Sequence, residues 1–180
     1  FAFLATAVSA WADDAQRAAA CREATDAAET ITACTEALDP YGKPVWALIR
    51  RGHAFLDDGQ IEPGREDAML AVRAAAKSSD AHALLGRALR DAGDYDAALK
   101  SLDRAILLNE DNAAAFFYRA QLHYWRDAKD KALEDIGQSV AIDASNLDFR
   151  YWRGVISDEM GDHRTALADF SWVISVDGGN

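Results

Sequence analysis

The residues of this chain that could do chemistry are few. They are four histidines, two cysteines and a handful of adjacent carboxylates such as Asp57-Asp58 and Asp158-Glu159. Histidines at converging positions would carry protons or ligate a metal. Here His53, His82, His123 and His163 stand alone, with no H-E-x-x-H spacing among them, and read as surface or packing residues. Paired carboxylates can divide acid and base roles, but charge beside turns at helix ends is by default solvated. Neither a G-x-S-x-G elbow nor a phosphate-binding glycine loop is present. No catalytic residue, metal site or cofactor is therefore expected.

The elements that position these groups are helices. Half of the 180 residues are hydrophobic, alanine supplies much of that half, and only three are proline. That composition favours long helices over sheet. The net charge of −11, with no run of Lys or Arg to override it, argues against nonspecific binding to nucleic acid or anionic membrane, which needs basic patches. No segment is apolar over enough length to span a bilayer in the mature protein. At the front, "FAFLATAVSAWADDAQ" runs from an apolar stretch through Ala10-Trp11-Ala12 to two aspartates. This reads as a truncated signal peptide, residues 1–12, cut after Ala12, which places the protein in an exported, periplasmic or secreted compartment. The alternative is the apolar start of a helix.

The stretch "RDAGDYDAALKSLDRAILLNE" recurs in outline along the chain at a constant step. Repeats start at Val45, Ser79, Ala113 and Leu147, each 34 residues after the last, giving units 45–78, 79–112, 113–146 and 147–180. Numbering each unit from slot 1, a turn residue falls in slot 15 (Gly59, Gly93, Asp127, Gly161). Small residues fall in slot 8 (Gly52, Gly86, Ala120, Gly154) and slot 20 (Gly64, Ala98, Ala132, Ala166), where two helices must approach closely. Larger apolar groups occupy slot 28: Val72, Ile106, Val140 and Ile174. The pattern predicts one helix over slots 2–14 and a second over slots 18–31. Such units stack, because none buries its apolar face alone.

Period and small-residue register together resemble the tetratricopeptide repeat over Val45 to Asn180. The resemblance implies an all-α right-handed superhelical solenoid of helix-turn-helix repeats, similar to exported bacterial members of that family. Slot 11, usually aromatic in the family, holds Phe55 but then Leu89, His123 and Ser157, and slot 32 lacks its proline. The resemblance also implies that slots 2, 5, 6, 9, 12 and 13 face a concave groove. Those slots hold Trp46, Ile49, Arg50, His53 and Leu56, then Asp80, Leu84, Arg87 and Arg90. In the last two units they hold Phe117, Tyr118, Gln121, Tyr124, Trp125, Asp148, Tyr151, Trp152, Asp158 and Glu159. Aromatics and arginine are the types enriched at binding hot spots. The candidate partner-binding residues are Trp46, Arg87, Arg90, Phe117, Tyr118, Gln121, Tyr124, Trp125, Tyr151 and Trp152. The expected partner is a protein or peptide, with packing between units as the competing role for each ring.

A second pattern is structural. Slot 7 is Arg51, Arg119 and Arg153 in three units, and slot 23 is Asp67, Asp135 and Asp169 in the same three. The other unit has Leu85 and Ser101, so the two charges come and go together. They read as ion pairs within a unit, each contributing roughly 0–1 kcal/mol if partly exposed. Extending the register backward gives a degenerate unit at 13–44, with Cys21 in slot 11 and Cys34 in slot 24. In an exported protein these two read as a disulfide, and otherwise as two buried thiols. At the far end, Val173, Ile174 and Val176 are expected to be partly uncovered. That leaves self-association through this end, or a regulatory or targeting segment of a larger enzyme, as alternatives to a free-standing interaction module.

Overall fold

A computed structural model describes residues 2–38 and 44–178, with side chains from Asp13 onward. The described residues form ten helices and no strands. In chain order these are α1 (Ala2–Glu23), α2 (Ala27–Leu38), α3 (Val45–Asp57), α4 (Ile61–Ala74), α5 (Ser79–Asp91), α6 (Tyr95–Leu108), α7 (Ala113–Trp125), α8 (Lys129–Ile142), α9 (Leu147–Glu159) and α10 (His163–Asp177). Consecutive helices pair antiparallel, and the pairs stack into the right-handed solenoid expected of the repeat. The junction between the first pair and α3, residues 39–43, lies outside the described residues. So do the side chains of the leader assigned to residues 1–12, whose backbone from Ala2 continues α1.

Each helix begins one residue earlier than the periodicity predicts. First helices occupy slots 1–13 and second helices start at slot 17. A side-chain cap accompanies the shift at α5, α6, α7, α9 and α10, whereas α3, α4 and α8 begin at the same slots behind Pro44, Gln60 and Ala128 without one. The residue just before each later unit, Ser78, Asn112 or Asn146, accepts a backbone N–H of the following first turn. In slot 16, Asp94 and Asp162 do the same for the second helices. Satisfying an otherwise orphaned N–H this way is worth about 1 kcal/mol per cap and reinforces the start of those five helices.

The turn between the helices needs a left-handed residue in slot 15. Gly59, Gly93 and Gly161 take φ of 76°, 81° and 84°, and Asp127 takes 57°. Glycine enters this region without a Cβ penalty, whereas an aspartate does so at a cost. Replacing Asp127 by glycine is therefore expected to stabilise the protein by about 0.5–1 kcal/mol, or a few degrees in Tm. Thermal unfolding followed by circular dichroism measures it, and a lowered Tm would contradict the turn argument.

Small residues in slots 8 and 20 let paired helices meet. A Cβ on Gly86 would lie 2.5 Å from Leu102 Cγ, with the backbone of Ala98 3.4 Å away. Between units, the side chains interlock in a fixed way. Slot 24 of one unit carries slots 6 and 10 of the next: Ala68 under Leu84 and Ala88, Leu102 with Tyr118 and Leu122, Ile136 with Trp152 and Ile156.

The slot 7 arginines meet the slot 23 aspartates in paired hydrogen bonds. Arg51 Nε donates to Asp67 Oδ2 at 2.7 Å and Nη2 to Oδ1 at 2.8 Å. Arg119 holds Asp135, and Arg153 holds Asp169, with the same two-pronged geometry. The aspartates are only 2%, 4% and 1% exposed. The value reasoned for a partly exposed pair therefore does not apply, because removing one partner would leave a buried charge. At the other end of the solenoid Cys21 and Cys34 are disulfide-bonded, with Cα atoms 4.5 Å apart and both residues fully buried. The bond ties α1 to α2 at the slots where Leu89 and Leu102 pack in the second unit.

Candidate interaction groove

The first helices α3, α5, α7 and α9 present one continuous face, and two depressions lie along it. The first is a cleft of about 570 Å³ between α3 and the α1–α2 corner, lined by Arg22, Thr30, Trp46, Arg50, His53 and Asp80 among others. The second, about 260 Å³, is lined by Asp57, Arg87, Arg90, Phe117, Tyr118, Gln121, Asp148 and Trp152. Every one of those residues comes from a first helix. Asp57 lines both depressions, so they meet there.

Residues in the same slot of successive units stack along this face. His53 and Arg87, both in slot 9, lie with Nδ1 and Nη1 3.1 Å apart. Arg87 also donates to Asp57 at 2.5 Å. Burial, and then the Arg87 charge, lower the His53 pKa to about 4 against the weaker pull of Asp57, which keeps the ring neutral at pH 7. Arg90 is buried, donates to Gln121 and Asp91, and lies over the rings of Tyr118 and Trp125. Burial raises the Tyr118 hydroxyl pKa, with the two arginines opposing it. At the α1 end, Arg50 donates to the carbonyls of Cys21 and Ala24, closing the last turn of α1. Arg22 stacks 4.4 Å above Trp46.

The ten sequence-derived candidates fall into different environments. Arg87, Arg90, Phe117, Tyr118, Gln121 and Trp152 come together around the smaller depression. Trp46 lines the larger cleft instead. Tyr124, Trp125 and Tyr151 line neither. Tyr124 packs edge-on against Trp152 with centroids 5.6 Å apart and donates its hydroxyl to Glu159. Trp125 sits at the rim, half exposed, beneath Arg90. Tyr151 lies against Phe170, on the side of α9 that meets α10. Tyr118, Arg90 and Gln121 are themselves at most 9% exposed, so they form the wall and leave Phe117 and Trp152 as the half-buried rings. Arg22 and Asp57 were not among the ten candidates, although they occupy slots 12 and 13, both assigned to the groove. The overlooked signal is the 34-residue separation of His53 and Arg87, which stacks them. Among the described residues no three His, Cys, Asp or Glu side chains converge as metal ligands, and no helix is long and apolar enough to cross a membrane.

A solenoid of paired helices with a mixed aromatic and polar face defines a class of repeat protein. Residues 86–124 match the family model described as TPR repeat. The rat mitochondrial import receptor subunit TOM70 is 26% identical over 133 residues, which cover 73% of this chain and 22% of the receptor. The chain thus spans about a fifth of the length of that relative. A thermophilic TPR protein of Thermus thermophilus superposes with a TM-score of 0.74 at 20% identity, over 83% of this chain and 82% of that one. YrrB, a TPR protein with an unusual peptide-binding site, superposes with a TM-score of 0.56 at 21% identity, over 86% and 79% of the two chains. These matches support the tetratricopeptide-repeat family and show its fold, whose members are in general protein-interaction modules.

Proposed function

We propose that this chain is a non-catalytic interaction module that holds an extended peptide, or a helix of a partner protein, along its first-helix face. The observation that carries the reading is the depression lined by four successive first helices and joined at Asp57 to the larger cleft. Phe117, Trp152 and Trp46 offer apolar anchors at intervals along it. Polar groups held between them, including His53, Arg87 and Gln121, can fix the register of a main chain. The disulfide and the cleavage pattern at Ala10-Trp11-Ala12 support an exported setting, where such a bond persists. The likeness to a part of a longer receptor supports a second setting, in which the same face serves as a targeting segment of a larger protein.

Selection of random 12-residue displayed peptides on the folded chain, followed by fluorescence anisotropy, tests the reading. Trp152→Ala and Trp46→Ala are each expected to weaken a selected peptide at least 10-fold while the helical dichroism is retained. Peptides that bind both variants as tightly as the parent would overturn it.

A further inference from the structure

We infer that the smaller depression of the groove binds the guanidinium of an arginine carried by the peptide, an assignment that rests on the peptide-binding reading above. Elsewhere the chain shows how it fills the space between an aromatic ring and a carboxylate. Five arginines each join a ring to an aspartate. Arg51 lies 5.6 Å from the centroid of Phe55 and pairs with Asp67. Arg87 lies over Tyr118 and pairs with Asp57. Arg90 lies over Trp125 and pairs with Asp91. Arg119 lies over Phe116 and pairs with Asp135, and Arg150 lies over Trp172 and pairs with Asp169. A guanidinium suits such a place because its flat face stacks on the ring while its edge donates to the carboxylate.

The depression holds a ring and a carboxylate with no cation of the chain joining them. Trp152 and Asp148 both line it, and they stand four residues apart on α9, which puts them on one face of that helix. Phe117 lines the same space from α7. Three of the four tryptophans with described side chains, Trp46, Trp125 and Trp172, have an arginine 4.4, 5.3 and 4.3 Å from the ring centroid. Among the described residues Trp152 has none, and it meets Tyr124 edge-on instead. Asp148 is exposed, and among the described residues no basic side chain pairs with it. Its place in the first turn of α9 suits a negative charge, but that role needs neither ring nor depression. Arg87 and Arg90 line the same space, and each is already paired, with Asp57 and Asp91. Counting Asp91, two guanidiniums stand against three carboxylates, so one negative charge beside an aromatic wall is left for a cation of the ligand. The net charge of −11 favours the approach of such a basic peptide.

Random 12-residue displayed peptides selected on the full chain supply the probes, and the selected sequences are made with a fluorescein label for anisotropy. The expected result is that peptides weakened by Trp152→Ala share an arginine. Changing that arginine to citrulline, which keeps the shape and removes the charge, is expected to weaken binding about 10-fold, and changing it to lysine about 3-fold. Asp148→Asn is expected to cost the arginine peptide about 5-fold and the citrulline peptide almost nothing. Asp148 is exposed and its backbone N–H keeps the Asn146 cap, so the variant retains its helical dichroism. Selected peptides that carry no arginine, that lose nothing with citrulline or lysine, or that need Trp46 but not Trp152, overturn this inference and leave the interaction reading standing. So does an Asp148→Asn variant that weakens the arginine and citrulline peptides equally. Peptides that bind Trp46→Ala and Trp152→Ala as tightly as the parent, or a selection that yields no peptide, overturn both.

Discussion

Replacing Arg51 by leucine is expected to cost about 3–5 kcal/mol, whereas replacing Arg51 by leucine and Asp67 by serine together is expected to cost far less. The carboxylate of Asp67 is 3% exposed and takes both its hydrogen bonds from Arg51. Without the guanidinium it would stand buried, charged and unpaired, and that desolvation cost dominates over the loss of the pair's own attraction. The double replacement removes the charge that needs solvation. It also reproduces a solution the chain already contains. The second unit has Leu85 and Ser101 in these slots, where Leu85 packs against the cluster of Leu56, Ala68 and Leu84, and Ser101 donates to the carbonyl of Ala97. Urea unfolding of the two single variants and the double variant gives the coupling directly. Stacked repeats need not unfold in one step, so midpoints are compared only where the slope is unchanged. Additive costs for Arg51→Leu and Asp67→Ser would contradict the account, because they would mean that the buried carboxylate finds water or another donor when the arginine is gone.

The three ion pairs also show where sequence is informative. Arg51–Asp67, Arg119–Asp135 and Arg153–Asp169 were legible because a pair that is present or absent as a unit marks two slots in contact. The small residues at slots 8 and 20 were legible for a related reason. Backbone approach leaves no room for a larger group, so Gly86 and Ala98 carry the geometry in their own identities. Slot 15 announced its left-handed turn through glycine in three units, and even Asp127 obeys it. What resisted reading is anything set by the neighbouring unit rather than by the slot. Slot 5 is fully packed as Ala83 and half exposed as Tyr151, although the family pattern assigns both to one face. The degree of burial at Tyr118, Arg90 and Gln121 depends on how three side chains from two helices fill one space, and no single position records it. The Cys21–Cys34 pairing was open in the sequence, because two buried thiols in slots 11 and 24 satisfy the same pattern. His53 was read as a solitary histidine, since its guanidinium neighbour lies a whole repeat away.

That same neighbourhood sets the acid sensitivity of the fold. His53 is neutral in the folded protein down to about pH 4, because burial penalises the imidazolium and Arg87 repels it, while Asp57 favours it only weakly. In the unfolded chain the ring takes its proton near pH 6.5. Between these values the unfolded state binds the extra proton, so this contribution to stability is complete above pH 6.5 and falls as the pH drops through the interval. The loss amounts to roughly 2 kcal/mol at pH 5 and approaches about 3 kcal/mol near pH 4. The groups that face the ring are Arg87, Asp57 and the Tyr118 ring, with Asp80 in the same cleft. Arg87 stays charged throughout, and carboxylates as a class take their protons below this interval, so between pH 5 and 6.5 the slope comes from histidines, chiefly His53, with His123, whose pKa burial also lowers, adding in the same direction. His53→Gln keeps a polar side chain without the titration. Urea midpoints taken at intervals from pH 7.5 to 5 are expected to fall steeply for the parent and much less for the glutamine variant, leaving a difference of about 2 kcal/mol at the acid end. Equal slopes would mean that the ring takes its proton as readily in the folded state as in the unfolded chain, and would overturn the account.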